Sequence, residues 1–151
     1  MNAVLDDALK VLHNTYKSLD VVIEKNYDPH LPVIKGNFSN LGQVLINVIK
    51  NALQALPEGR GRIFLSTSYH RADDRVIVVC RDEGVGIDPS FVKDIFKPFF
   101  TNKDVGRGSG LGLYISYEII KKHHGDIRVG SEVAKGTTVT IELPCRRGVK
   151  S

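Results

Sequence analysis

Apolar residues recur along this chain with two periods, and the change from one to the other marks the elements. Val4, Leu5, Ala8, Val11 and Leu12 keep helical spacing and predict a helix within the first twenty residues. Val21, Val22 and Ile23 then read as a strand. Leu41, Val44, Leu45, Val48, Ile49, Ala52 and Leu56 form a broad helical stripe, opened by Asn37 or Ser39 as cap and closed by Pro57 and Gly59. Ile63 to Tyr69 and Arg75 to Arg81 are β-rich runs separated by the polar stretch His70 to Asp74, which predicts a hairpin. After a polar, glycine-bearing segment from about Lys97 to Ser109, Leu111 to His123 reads as a third long helix ending at His124-Gly125. Ile127 to Val133 and Thr137 to Leu143 predict a closing hairpin turned at Lys135-Gly136. The expected fold class is α+β: a two-layer α/β sandwich, a mixed sheet of about five strands covered on one face by about three helices.

With 151 residues, 42% hydrophobic and 25% charged, the chain suits a single domain with an ordinary core. That domain is expected to run over residues 1–144, with 145–151 as a basic flexible tail. No apolar run approaches the ~20 residues of a membrane helix, and the N-terminus lacks a secretory pattern. Cys80 sits in an apolar run and Cys145 in the basic tail, without the close Cys or His spacing of a zinc site, so both are expected to be reduced thiols. The net charge of +4 is spread over scattered Lys and Arg residues, which argues against nucleic acid and is compatible with an acidic ligand or partner.

Four constellations bear on chemistry. Gln43, Asn47 and Asn51 stand at i, i+4 and i+8, a row of carboxamides bordering the apolar stripe. Such amides either make local hydrogen bonds on a helix surface or complete the shell of a Mg²⁺ ion otherwise held by phosphates and water. Asp82-Glu83-Gly84-Val85-Gly86-Ile87 follows a strand directly, placing a carboxylate at its end and two glycines where the backbone turns or nears a ligand. An Asp there can accept the exocyclic amine proton of adenine, but glycine turns after strands are common. Gly106-Arg107-Gly108-Ser109-Gly110-Leu111-Gly112-Leu113 places four glycines on alternate positions running into a helix, with Ser109 available as cap. Glycine disfavours helix, so its repetition makes sense if backbone N–H groups meet an anion at the positive end of the helix dipole. The alternative is a flexible loop before a helix. The segment is neither a P-loop nor a dinucleotide-binding turn. Gly136-Thr137-Thr138 opens the last strand, where a hydroxyl can meet Asp82 across the sheet; alone it is a hairpin in a β-prone segment.

Taken in order, Asn47-x-x-x-Asn51-Ala52, Asp82-x-Gly84-x-Gly86, Phe96-Lys97-Pro98-Phe99-Phe100-Thr101-Asn102-Lys103, Gly108-x-Gly110-Leu111-Gly112-Leu113 and Gly136-Thr137 resemble the boxes of the ATPase superfamily shared by gyrase, MutL, the large heat-shock chaperone and histidine kinases. The match spans roughly residues 37 to 144, and its Pro-Phe-Phe-Thr-x-Lys and Gly-Leu-Gly-Leu segments resemble the histidine-kinase branch, particularly kinases of nitrogen regulation. The resemblance implies a Bergerat-type fold that binds ATP and Mg²⁺. It implies Asn51 as metal ligand, Asp82 on the adenine amine with Thr137 supporting it directly or through water, and Gly84, Gly86 and Ile87 shaping the base pocket. It makes the segment from Phe96 to Ser109 an ATP lid to which Phe100 and Thr101 belong, with amides of Gly108, Ser109, Gly110, Leu111, Gly112 and Leu113 on the phosphates. Lys103 or Arg107 is expected to reach the terminal phosphates, or else to be solvated. Asn47, with Asn51 and Lys103, is expected to serve the transfer step. The gyrase and chaperone branches carry a Glu at the position of Asn47 to activate water, and an amide cannot take that proton, so slow intrinsic hydrolysis is expected.

The same resemblance implies transfer of the γ-phosphoryl group to a histidine on a separate dimerisation hairpin, then to a response regulator receiver domain. That acceptor histidine is typically followed by an acidic residue, and none of His13, His30, His70, His123 and His124 is. The chain is therefore expected to begin after the hairpin and to be monomeric by itself, within a homodimeric, cytoplasmic or membrane-anchored kinase; neither nucleic acid nor direct membrane contact is expected. The histidines are expected to be plain surface or core residues. Competing expectations are a serine kinase of the anti-sigma-factor type, against which the Pro-Phe-Phe-Thr-x-Lys segment argues, and a docking module that has lost its nucleotide.

Overall fold

The alternating run Ile63, Leu65 and Thr67 turns one face of a strand inward, and Val76, Val78 and Cys80 do the same on its neighbour. In the computed structural model, which describes residues 1–86 and 112–145, these become β2 (Arg60–His70) and β3 (Arg75–Asp82), paired antiparallel as the hairpin expected. β1 (Asp20–Asn26) adds parallel to β2, with Val22 opposite Arg62. β4 (Asp126–Glu132) and β5 (Gly136–Pro144) form the closing hairpin, and β5 inserts beside β3. The sheet order is β1-β2-β3-β5-β4, mixed because β1 alone runs parallel to its neighbour.

Three helices among the described residues cover the inner face: α1 (Asn2–Tyr16), α2 (Phe38–Ala55) and α3 (Gly112–Lys122). The two-layer α+β sandwich is the one expected. Of the two candidate caps for α2, Asn37 is used: its side chain accepts from the N–H of Asn40 at 3.0 Å. Leu41, Val44, Leu45, Val48, Ile49, Ala52 and Leu53 of α2 are buried. Each buried aliphatic side chain of this size stabilises the fold by about 1.5–3 kcal/mol relative to exposure, which seats the helix firmly on the sheet. α1 docks through Leu5, Ala8, Leu9 and Leu12. Val11, expected in that stripe, is instead 64% exposed, because Leu5, Ala8, Leu9 and Leu12 already complete the i, i+3, i+4, i+7 face and leave position 11 pointing away.

Cys145 also departs from expectation. Its side chain is fully buried and its N–H donates to the Asp74 carbonyl at 2.9 Å, so packing continues one residue past the expected boundary at 144. Neither cysteine is in a disulfide, and burial pushes the Cys80 thiol up to about 12. No helix among the described residues is long and apolar enough to cross a membrane.

Candidate functional site

Asp82 is the last residue of β3 and belongs to the inward row of the sheet, opposite Ile63 on one side and Thr137 on the other. That parity places a carboxylate among apolar side chains at the sheet end where α2 terminates, and it is only 5% exposed. Burial raises its pKa above the ordinary carboxylate value; the backbone amides of Gly84 and Thr137 and the charge of Arg81 oppose the shift without cancelling it. Oδ1 accepts from the Gly84 N–H at 2.9 Å.

The loop after Asp82 is fixed on three sides. Glu83 N–H donates to the Arg62 carbonyl at 3.2 Å, Val85 N–H to the Ala55 carbonyl at the end of α2 at 3.0 Å, and the Val85 carbonyl accepts from Ala134 N–H at 2.9 Å. Two glycines make this closeness possible. Gly86, at φ +76°, lies where a Cβ would overlap the Glu132 carbonyl, and Gly136, at φ +119°, where a Cβ would overlap the carbonyl of Asp82 itself. The alternate glycines of the sequence thus join α2, β3 and the β4–β5 turn around a single carboxylate.

Thr137 faces Asp82 in register, as expected, but its hydroxyl is engaged elsewhere: Ser131 Oγ lies 2.8 Å from Thr137 Oγ1, and Ser131 also donates to the Gly136 carbonyl at 3.1 Å. The support that Thr137 gives Asp82 comes from its backbone N–H. Ser131 and the carbonyl of Ala55 were not legible as site components, since the first sits in an ordinary strand and the second acts through its backbone.

Asn47 and Asn51 lie on α2 one turn apart, both half-buried, with Gln43 Nε2 donating to Asn47 Oδ1 at 3.1 Å. Gly112 and Leu113 open α3. Ile87, Phe100, Thr101, Lys103, Gly108, Ser109, Gly110 and Leu111, together with Arg107 and the expected lid, lie outside the described residues. No cluster of three or more His, Cys, Asp or Glu side chains among the described residues is arranged to hold a metal. A cation here would depend on neutral amide oxygens supplemented by ligand phosphates.

A sheet end with a buried carboxylate beneath a helix bearing amides is, by family membership, the frame of a nucleotide-binding ATPase. The family described as Histidine kinase-, DNA gyrase B-, and HSP90-like ATPase matches residues 36–147, and the chain belongs to it. Sporulation kinase E of Bacillus subtilis (strain 168) is 36% identical over 147 residues, covering 97% of this chain and 19% of the relative. Signal transduction histidine-protein kinase AtoS of Escherichia coli (strain K12) is 38% identical over 144 residues, covering 95% and 23%. The chain thus spans about a fifth of the length of these curated relatives. Among solved structures, a mycobacterial sensor histidine kinase, MprB, superposes with a TM-score of 0.82 at 31% identity over 95% of this chain and 93% of that one. The catalytic domain of histidine kinase ThkA gives 0.82 at 26% identity over 95% and 91%. Within the family, the chain is a catalytic ATPase domain of the sensor histidine kinase type, an ATP-binding module.

Proposed function

We propose that this domain binds Mg-ATP with its adenine on Asp82 and passes the γ-phosphoryl group to a histidine on a separate dimerisation domain, for onward transfer to a response regulator receiver domain. The observation that supports this best is the buried Asp82 carboxylate. It keeps one oxygen on the Gly84 amide, and among the described residues its surroundings offer burial and backbone amides, with Arg81 as the neighbouring cation. A carboxylate so held recognises a neutral N–H donor, and the exocyclic amine of adenine is such a donor. Thr137 supports it through the backbone.

Asn51 would hold a bound Mg²⁺ through its uncharged oxygen, and that ion would supply charge neutralisation for phosphoryl transfer. Asn47 lines the same helix face but has no basic atom for deprotonating water, so the bound nucleotide is hydrolysed slowly and keeps its phosphoryl group for a better nucleophile. Gly84, Gly86 and Ile87 shape the base pocket. By the resemblance, the amides of Gly108 to Leu113 would bind the phosphates, and Phe100, Thr101 and Lys103 would belong to the same nucleotide site. The transfer relies on positioning and charge neutralisation rather than on a covalent intermediate with this domain.

Titration calorimetry of ATP with and without Mg²⁺ tests the assignments. Wild-type binding should fall by about a hundredfold in Asp82→Asn, the cost of an unpaired buried polar contact. In Asn51→Ala it should fall about tenfold and lose its Mg²⁺ dependence. Equal binding by all three proteins would refute both assignments. With a histidine hairpin supplied in trans, labelled phosphate should appear in an acid-labile product; an acid-stable one would indicate a serine acceptor instead.

A further inference from the structure

His123, the residue following α3, is not a plain surface or core histidine. Its Nδ1 lies 2.8 Å from the Ile119 carbonyl, and its Nε2 accepts from the N–H of Asn37 at 3.0 Å. A carbonyl on one nitrogen and an N–H on the other are both satisfied only by the neutral Nδ1–H tautomer. Asn37 is the N-cap of α2: its side chain accepts from Asn40 N–H and its carbonyl from Leu41 N–H, so the imidazole takes up its remaining backbone donor. Gly36 lets the ring come this close, since a Cβ there would stand 2.6 Å from His123 Cδ2.

The contact joins the first residue before α2 to the first residue after α3, so these two packed helices run antiparallel. At 1.5 Å rise per residue, the ten steps from Lys122 back to Gly112 cover about 15 Å, and ten steps from Asn37 along α2 end at Asn47. The first residue of α3, Gly112, is therefore set level with Asn47, one turn short of Asn51.

We propose that His123 is a positioning residue for the nucleotide site: its neutral imidazole fixes the axial register of α3 against α2, and so the separation between the phosphate-facing amides at the head of α3 and the amide row of α2. This rests on the nucleotide assignment proposed above. A small slide of one helix along the other moves both ligand sets relative to each other while leaving the hydrophobic contact between them largely intact, and misplacements on the order of 1 Å outside the reacting centre can cost about a hundredfold in rate.

The test compares His123→Gln, whose carboxamide oxygen can still accept from Asn37 N–H, with His123→Leu, which has no acceptor, and with Gly36→Ala, which displaces the ring. Melting curves select variants that are folded. Mg-ATP affinity by calorimetry should be near wild type in His123→Gln and about tenfold weaker in His123→Leu and Gly36→Ala. Amide hydrogen exchange without nucleotide should quicken at both Asn37 and the first turn of α3 in the latter two. A ¹⁵N imidazole spectrum should show Nδ1–H for His123 in the wild type. Equal affinity in all folded variants, or an Nε2–H or doubly protonated ring, would overturn the inference. If wild type binds no ATP while the Nδ1–H signature and exchange pattern stand, the nucleotide assignment has failed and this inference falls with it; the intact clamp identifies which step was wrong.

Discussion

The two halves of the candidate site are built to different tolerances. At the carboxylate end, Asp82 is buried, and the chain around it is held by backbone hydrogen bonds to β2, α2 and the β4–β5 turn, with Gly86 and Gly136 in conformations that other residues rarely adopt. The amide end is a row of half-buried and exposed side chains on one well-packed helix, with Gln43 donating to Asn47. The contrast follows from what each half must do. An aromatic base is selected by shape and by one directional contact, which demands a rigid dry wall. Phosphates and a hydrated cation are held by adaptable polar groups that gain little from burial. Changes at the carboxylate end should therefore disturb stability together with binding, and changes along the amide row should disturb binding alone.

The strongest test of that contrast is Gly136→Ala. The new Cβ would overlap the Asp82 carbonyl at a φ of +119°, so β5 must shift away from β3 where they flank the carboxylate. A loss of about 2–4 kcal/mol is expected by chemical denaturation, together with loss of detectable ATP binding. Stability close to wild type would mean that the strand end is not rigid, and the contrast would disappear.

Asp82→Asn comes next and should separate stability from binding in opposite directions. The folded-state pKa of Asp82 is raised, so its favourable contribution is complete below the unfolded carboxylate pKa and is lost as pH rises through the folded value. As pH rises, ionisation of the folded carboxylate is opposed by its burial. The amide, which still accepts from Gly84 N–H, should melt at or above the wild-type temperature near neutrality without nucleotide, and this advantage should shrink on acidification. ATP-induced stabilisation should be much smaller in the variant at the same ATP concentration. A lower melting temperature for Asp82→Asn at neutral pH would show that the carboxylate is a structural anchor rather than a poised ligand.

The sequence made the elements of both halves legible, but not their tolerances. The α2 stripe, the Asn37 cap, the β2–β3 hairpin and the position of Asp82 at a strand end all follow from local periodicity and turn chemistry. What was hidden depends on contacts between distant elements. Thr137 was expected opposite Asp82, but the diversion of its hydroxyl to Ser131 depends on the β4–β5 register. Val11 matched helical spacing, yet a neighbouring stripe that included Leu9 won the core. Cys145, followed by Arg146 and Arg147, reads as tail by composition, whereas its N–H donates to Asp74 beside the adjoining strand. His123 had no local signature, because its partner is 86 positions away in sequence.

The smallest expected effect sharpens the contrast from the other side. Gln43 is exposed and donates to Asn47 Oδ1 at 3.1 Å, a neutral i,i+4 pair of the kind that stabilises a helix by about 0.2–0.5 kcal/mol. Gln43→Ala removes that bond while placing a better helix former at the position, so the two changes nearly offset and stability should stay within about 0.5 kcal/mol of wild type. What is lost is the orientation of the Asn47 carboxamide, whose oxygen is held toward Gln43 and whose nitrogen is thereby turned away from it. Asn47 keeps its other interactions when Gln43 is replaced, so Mg-ATP affinity should fall by less than about threefold in calorimetry. A loss comparable to that of Asp82→Asn would show that the amide row is as finely positioned as the carboxylate, and that the helix surface transmits order from Gln43 to the cation-facing end. A small loss would locate the precision of this site in the backbone around Asp82, with the amides adapting to whatever that wall holds in place.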